Sequence, residues 1–243
     1  MKNSEQAELW AGKTSLLGLP AAVELIGTLA VEAALFEAAC GPAPGLVDRF
    51  NQGAHHDMDL FSFLASSSAI GPGLTACALA GWQHRGEPSA LFDKIRPLGQ
   101  SAEQAMFRAT RGVNTQKGLI FLLGTLAAAA AQTVRRQQPP SAAGVLLVAS
   151  LMTKGVVARE LAPLKDKPPA RKLTAGERLY LAYGVTGIRG EVEQGVPAVL
   201  QGSLPALRAA LAAGLTVNDA LLEALLVLMT QVDATTILHR HDL

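Results

Sequence analysis

The sequence predicts an all-α protein, on three observations. Alanine and leucine dominate, apolar residues recur at helical spacing, and no stretch alternates with period two in valine, isoleucine and threonine. Clusters of glycine and proline cut the apolar stretches into helix-sized lengths. Nine or ten helices are expected, in one compact domain over residues 1–243, with polar glycine-rich loops converging on one pocket.

The elements follow in order. Gly12-Lys13-Thr14 imitates a phosphate loop, but Ala7 stands where that motif needs a glycine, and no strand pattern precedes it. A first helix opens near Pro20, carries Val23, Ile26, Ala30, Ala34 and Leu35, and stops at Gly41-Pro42. Asp57 is expected to cap a second helix through Leu60, Phe61, Phe63, Leu64 and Ile70, closed by Gly71-Pro72-Gly73. A third runs from about Leu74 to Gln83, and Gly86-Glu87-Pro88 separates it from the segment Ser89 to Thr110, which Pro97 should kink or split. The apolar run Leu119 to Ala131 falls short of the roughly 20 residues of a membrane span and reads as part of a buried helix reaching Val134. Further helices are expected from Ser141 to about Glu160, after the capping box Thr174-Ala-Gly-Glu177, over Leu204 to Ala213, and from Asn218 to about Gln231.

Bulk properties exclude several function classes. A net charge of +1 argues against nucleic acid as a partner, since phosphate-tracking proteins carry a basic excess. The one basic cluster, Lys165, Lys167, Arg171 and Lys172, is explained by a solvated loop at least as well as by a ligand site. Cys40 and Cys77 lie in apolar surroundings without metal or disulfide spacing, as small buried hydrophobes of a reducing compartment. The start of the chain lacks a signal peptide, so a cytoplasmic protein with no membrane partner is expected.

Chemistry concentrates in three glycine-bounded loops. Gly41 to Asp59 crowds three aspartates, Arg49 and the pair His55-His56 between apolar helices; Arg111 to Gly118 holds Asn114, Thr115 and Lys117; Gly184 to Gly195 holds Arg189, Glu191 and Glu193. Helix starts near Asp57 and Lys117 offer free N–H groups to a polyphosphate, with Lys117, Arg49 and Arg189 adding charge. Asp57 and Asp59, with Asp48 nearby, are hard oxygen ligands of the kind Mg²⁺ takes beside nucleotide phosphates. The same acids in a first helical turn also serve as caps, and spacing leaves the two roles open. His-His-Asp alone is a weak metal signature, and Glu191 and Glu193 equally suit a pairing with Arg189.

Five words in these segments resemble one family. They are Pro44-Gly-Leu-Val-Asp48, Gly53-Ala-His-His-Asp-Met-Asp59, Ala109-Thr-Arg-Gly-Val-Asn-Thr-Gln-Lys-Gly118, Leu173-Thr-Ala-Gly-Glu-Arg-Leu-Tyr180 and Thr186-Gly-Ile-Arg-Gly-Glu-Val-Glu193, spread from about Val23 to Arg240. Their order and spacing resemble the triphosphoribosyl-dephospho-CoA synthase family. The resemblance implies a transferase that joins ATP to 3′-dephospho-CoA and releases adenine. Its product, 2′-(5″-triphosphoribosyl)-3′-dephospho-CoA, would be the prosthetic-group precursor of citrate lyase or malonate decarboxylase, passed to a separate acyl-carrier-protein transferase.

The residue roles that follow are implied by that resemblance. Asp57, Asp59 and His55 would be catalytic; Asp57, Asp59, Asp48 and Asp233 would serve Mg²⁺; Arg49, Asn114, Thr115, Lys117, Arg189 and Glu191 would bind substrate or phosphate, Glu191 or Asp233 also supporting the metal or the leaving base. Members tend to carry Lys where Ala43 stands, His where Gln116 stands and Asp-Thr-Asn at Asp233-Ala-Thr235, and they continue past Arg240. That departure at the C-terminus raises an alternative: a catalytically impaired protein that binds a nucleotide or CoA derivative, or serves in assembly. A helical metallophosphohydrolase is a third reading, suggested only by His55-His56-Asp57.

Overall fold

The computed structural model describes residues 18–136, 140–166, 170–171 and 173–232, so Gly12-Lys13-Thr14, Lys167, Lys172 and Asp233 lie outside the described residues. The helices are α1 (Ala21–Ala39), α2 (Leu60–Gln83), α3 (Pro88–Ala109), α4 (Lys117–Arg135), α5 (Ala142–Thr153), α6 (Val156–Glu160), α7 (Ala175–Tyr183), α8 (Gly187–Glu193), α9 (Leu204–Ala212) and α10 (Val217–Met229). A 3₁₀ turn at Ala162–Leu164 and a π-helical turn at Ala198–Ser203 complete the order. The all-α expectation is met: every regular element among the described residues is helical. The chain divides into two compact units, neither contiguous in sequence. The described part of the first covers 18–36 and 62–152; that of the second covers 37–61 and 153–232.

The first unit is a helix assembly whose core follows the predicted apolar spacing. Val23 and Ile26 of α1 pack with Ala78 of α2 and with Ala127 and Ala131 of α4. Ala30, Ile70, Leu74, Ala102, Met106 and Ile120 form a second cluster. Small residues let the helix axes approach: a Cβ added at Gly81 of α2 would collide with the Ala128 carbonyl oxygen of α4 and lie 2.7 Å from its carbon. Gly81→Ala should therefore lower unfolding free energy by about 1–3 kcal/mol. Gly99→Ala on α3, where nothing lies within 4 Å, should be neutral or stabilising by up to ~1 kcal/mol. Urea denaturation of both variants checks the pair.

Two proline expectations are corrected. Gly71-Pro72-Gly73 does not close a helix; α2 runs through it to Gln83. Ile70 and Leu74 are wholly buried on either side of this segment. Burying two such side chains is worth about 1.5–3 kcal/mol each, more than the roughly 3 kcal/mol an interior proline costs. Pro97 likewise sits inside a single helix, α3. The apolar run from Leu119 is also longer as a helix than expected, because α4 already begins at Lys117. By length and composition alone Leu60–Gln83, Lys117–Arg135 and Ala142–Leu164 are each apolar enough to cross a membrane. In this fold α2 and α4 spend their apolar faces on the clusters above.

The predicted helix from Ser141 to Glu160 breaks at Gly155, whose φ of 78° lies in the left-handed region. The next helix, α6, is capped from afar: Glu193 accepts the Gly155 N–H at 2.6 Å and the Val157 N–H at 3.0 Å. The capping box at α7 forms as predicted, Thr174 and Glu177 exchanging side-chain and backbone bonds. Arg171 adds two bonds to the Glu177 carboxylate, at 2.6 and 2.9 Å. That guanidinium, more than the Thr174 contacts, holds the Glu177 pKa down to about 2 against the opposing effect of burial. The stabilisation is thus complete above about 4.5 and lost as pH falls toward 2. Glu177→Gln should cost about 1–2 kcal/mol at pH 7 and progressively less toward pH 2, read by denaturation at the two pH values.

Candidate functional site

The loop between α1 and α2 is held from two directions. Asp48, buried to 3% exposure, accepts backbone N–H bonds from Ala43 at 2.6 Å, Phe50 at 2.7 Å and Asn51 at 2.9 Å. Burial would raise its pKa, but these amides and the Arg49 charge outweigh it and keep the carboxyl below its ordinary value. Asn218, at the start of α10, grips Gly41 on both backbone groups: its Oδ1 accepts the Gly41 N–H at 3.1 Å and its Nδ2 donates to the Gly41 carbonyl at 2.9 Å. Gly53, at φ 56°, passes so close to Gly45 and Leu46 that an added Cβ would lie 2.5 Å from the Gly45 carbonyl carbon. Only glycine fits there.

On this frame Arg49 is exposed and lies 4.8 Å over the Phe50 ring. His55 is buried, Asp57 exposed and Asp59 half-buried. The expectation that Asp57 caps and opens α2 is corrected: regular helix begins at Leu60, directly after Asp59. Asp57 therefore lies outside the first helical turn.

Glu37 and Asn218 are functional candidates that sequence reasoning missed. Four charged groups act on the buried Cys40 thiol: burial raises its pKa most, Arg49 lowers it, and Glu37, Asp48 and Asp219 raise it. These residues consequently surround the end of α1. Glu37 keeps solvent contact, yet desolvation by the protein around it pushes its pKa up to about 7. Water at the open side chain tempers that rise, and its direction is what enters the chemistry. The overlooked signal was an acid in the last turn of a helix, where the dipole disfavours it. For Asn218, 177 residues from Gly41, no local signal exists.

The second loop belongs to the first unit. Asn114 is exposed, and its Oδ1 accepts the Lys117 N–H at 3.2 Å at the start of α4. Lys117 Nζ lies 2.9 Å from Glu103 Oε2. Thr115 is half-buried with a buried Oγ1 that has no hydrogen-bond partner among the described residues. Gln116 ties the loop to α2: its Oε1 accepts from Ser66 at 2.5 Å, and its Nε2 donates to Ser67 at 2.9 Å.

The third predicted loop is largely helical, as α8. Its charged residues divide by role: Arg189 pairs with Glu160 of α6 at 2.8 Å, and Glu193 caps α6. Glu191 is half-buried, its Oε2 is buried without a hydrogen-bond partner among the described residues, and burial raises its pKa. Among the described residues no group of three or more His, Cys, Asp or Glu side chains gathers as a metal site.

The family model described as ATP:dephospho-CoA triphosphoribosyl transferase matches residues 23–243. The chain belongs to that family. Among its curated relatives, the "2-(5''-triphosphoribosyl)-3'-dephosphocoenzyme-A synthase" of Pectobacterium atrosepticum is 42% identical over 200 residues, 82% of this chain and 65% of that protein. Proteins named "Probable 2-(5''-triphosphoribosyl)-3'-dephosphocoenzyme-A synthase" from Vibrio cholerae serotype O1 and Lactiplantibacillus plantarum are 42% and 41% identical over 90% of this chain, and it covers 69% and 76% of them. No solved structure matches this family member.

Proposed function

We propose that the protein transfers the triphosphoribosyl group of ATP to 3′-dephospho-CoA and releases adenine. The single observation that carries this reading is the family match over residues 23–243, which includes all five motif words. In the reaction the C1′–N9 bond of ATP breaks, its electron pair leaves with adenine, and the 2′-oxygen of dephospho-CoA bonds to C1′ as it loses its proton. All three phosphates stay on the product. The transition state has oxocarbenium character, so the site needs proton transfer at two positions and a hold on the triphosphate.

Asp57 and Asp59 are the proposed Mg²⁺ ligands, with Asp48 supporting them by ordering the loop and Asp233 a further carboxylate. Bound there, Mg²⁺ would neutralise phosphate charge. His55, buried beside these acids in sequence, orients or deprotonates the attacking hydroxyl. Arg49 and Arg189, with Lys117, Asn114 and Thr115, are proposed phosphate contacts; the orphaned Thr115 hydroxyl supports its share of that role. The product would serve as the prosthetic-group precursor of citrate lyase or malonate decarboxylase, handed to an acyl-carrier-protein transferase in the cytoplasm.

Incubation with ATP, Mg²⁺ and dephospho-CoA, followed by chromatography, tests the reading. Adenine and a product heavier than dephospho-CoA by a triphosphoribosyl group are expected. Release of phosphate or pyrophosphate without adenine would point instead to a phosphohydrolase. Substrate binding without any turnover would point to a binding protein.

A further inference from the structure

We infer that Gln116 is the positioning residue of the triphosphate-binding loop, which rests on the phosphate role proposed above for Asn114, Thr115 and Lys117. Ser66, Ser67 and Ser68 interrupt the middle of α2 with a residue type that favours caps and turns over helix interiors, and Ser66 and Ser67 are wholly buried. Their hydroxyls meet the Gln116 amide. Ser66 donates to its Oε1 at 2.5 Å, and its Nε2 donates to Ser67 at 2.9 Å.

Gln116 is 3% exposed and engages every polar group it has. Besides the amide, its backbone N–H donates to Met106 Sδ of α3 at 3.3 Å, and its carbonyl accepts the Ile120 N–H of α4 at 2.9 Å. It directly precedes α4, where a side chain ordinarily caps the helix it opens, yet its side chain makes no cap bond. Asn114 takes that local task by accepting the Lys117 N–H. One buried residue thus joins the loop to α2, α3 and α4.

Thr115 and Lys117 flank it in the chain. Lys117 also reaches α3 through Glu103 at 2.9 Å, but both side chains of that pair keep solvent contact, and an exposed ion pair contributes little to holding a loop. A buried amide whose partners would be stranded costs far more to release. The loop's position therefore depends on Gln116 rather than on Lys117. Lys117 can exchange Glu103 for a phosphate oxygen without the loop shifting, and the buried Thr115 hydroxyl, without a partner among the described residues, keeps its place beside it. A neutral amide also adds no charge that would repel the triphosphate.

Calorimetry with inorganic triphosphate and Mg²⁺, together with the kinetics of adenine release, tests the assignment. Gln116→Ala should weaken triphosphate binding and raise KM for ATP, each by about tenfold or more, with kcat and KM for dephospho-CoA within about threefold. Ser66→Ala, a small change that leaves the Ser67 bond in place, should raise KM for ATP by about threefold. The double variant should stay within about twofold of Gln116→Ala alone, since both changes remove the same bond. A purely structural role would lower the melting temperature and leave both ATP measures unmoved. That outcome, a loss shared equally by both substrates, additive effects, or a parent that binds no triphosphate would each overturn the assignment. Should Q116A prove insoluble, the KM shift of Ser66→Ala at unchanged kcat decides it. A parent that binds triphosphate but releases no adenine would instead overturn the transferase reading, with calorimetry still deciding the role of Gln116.

Discussion

Asp57→Asn and Asp59→Asn are each expected to lower adenine release by about 100-fold or more at saturating substrate. Both replacements keep side-chain shape and remove a charge. For a Mg²⁺ ligand the charge is the larger part of the interaction, because the ion demands hard anionic oxygen and gives up its water reluctantly. The effect should also show in the metal requirement, with the variants needing more Mg²⁺ for half-maximal rate. Folding should scarcely change: Asp57 is exposed and outside α2, and Asp59 adjoins the helix start, where a lost cap costs about 1 kcal/mol. Adenine release at the parental rate in either purified variant removes that carboxylate from the proposal.

Loosening the loop that carries these acids should have the second large effect. Asp48→Ala strips three backbone N–H groups of their acceptor, one on the buried Ala43 and two at the more open Phe50 and Asn51. An unsatisfied buried amide costs about 1–3 kcal/mol, and water can serve the outer two, so about 2–4 kcal/mol is expected. Asn218→Ala should cost about 1–2 kcal/mol through the two bonds to Gly41. The clamps meet at Gly41, where an added Cβ would lie 2.9 Å from the Asp48 carboxyl carbon. The double variant should therefore depart from additivity by about 0.5 kcal/mol or more.

The pH dependence of the Asp48 variant has a defined sign. A carboxyl held below its ordinary value contributes stability that is complete above about 3.8 and is lost as pH falls below it. The gap between parent and Asp48→Ala should be widest at neutral pH and narrow in acid. Denaturation curves at pH 7 and pH 3 measure it, and a gap that widens in acid would contradict the clamp.

Much of the fold was legible because its signals are local. The α7 capping box needs only the Thr174 to Glu177 spacing, and the apolar period of α1 needs only its own side chains. The misread positions were those where a distant contact outweighs a local preference. Gly71-Pro72-Gly73 is a stop signal in isolation and becomes helix interior because Ile70 and Leu74 are buried by other helices. Gly184 to Gly195 reads as a loop on glycine content and folds as α8 because Arg189 and Glu193 fasten it to α6.

By itself the sequence determined the all-α class, most helix starts, the identity of the motif words and hence the family, since each rests on residue type and short-range order. Only the tertiary structure decided what the acidic and basic side chains of those words do. Asp48 is a loop clamp, Arg189 and Glu193 are fasteners, and Glu191 is left with an orphaned buried oxygen. The reason is physical: a carboxylate's role depends on which donors and how much water reach it, and those come from chain segments up to 177 residues away.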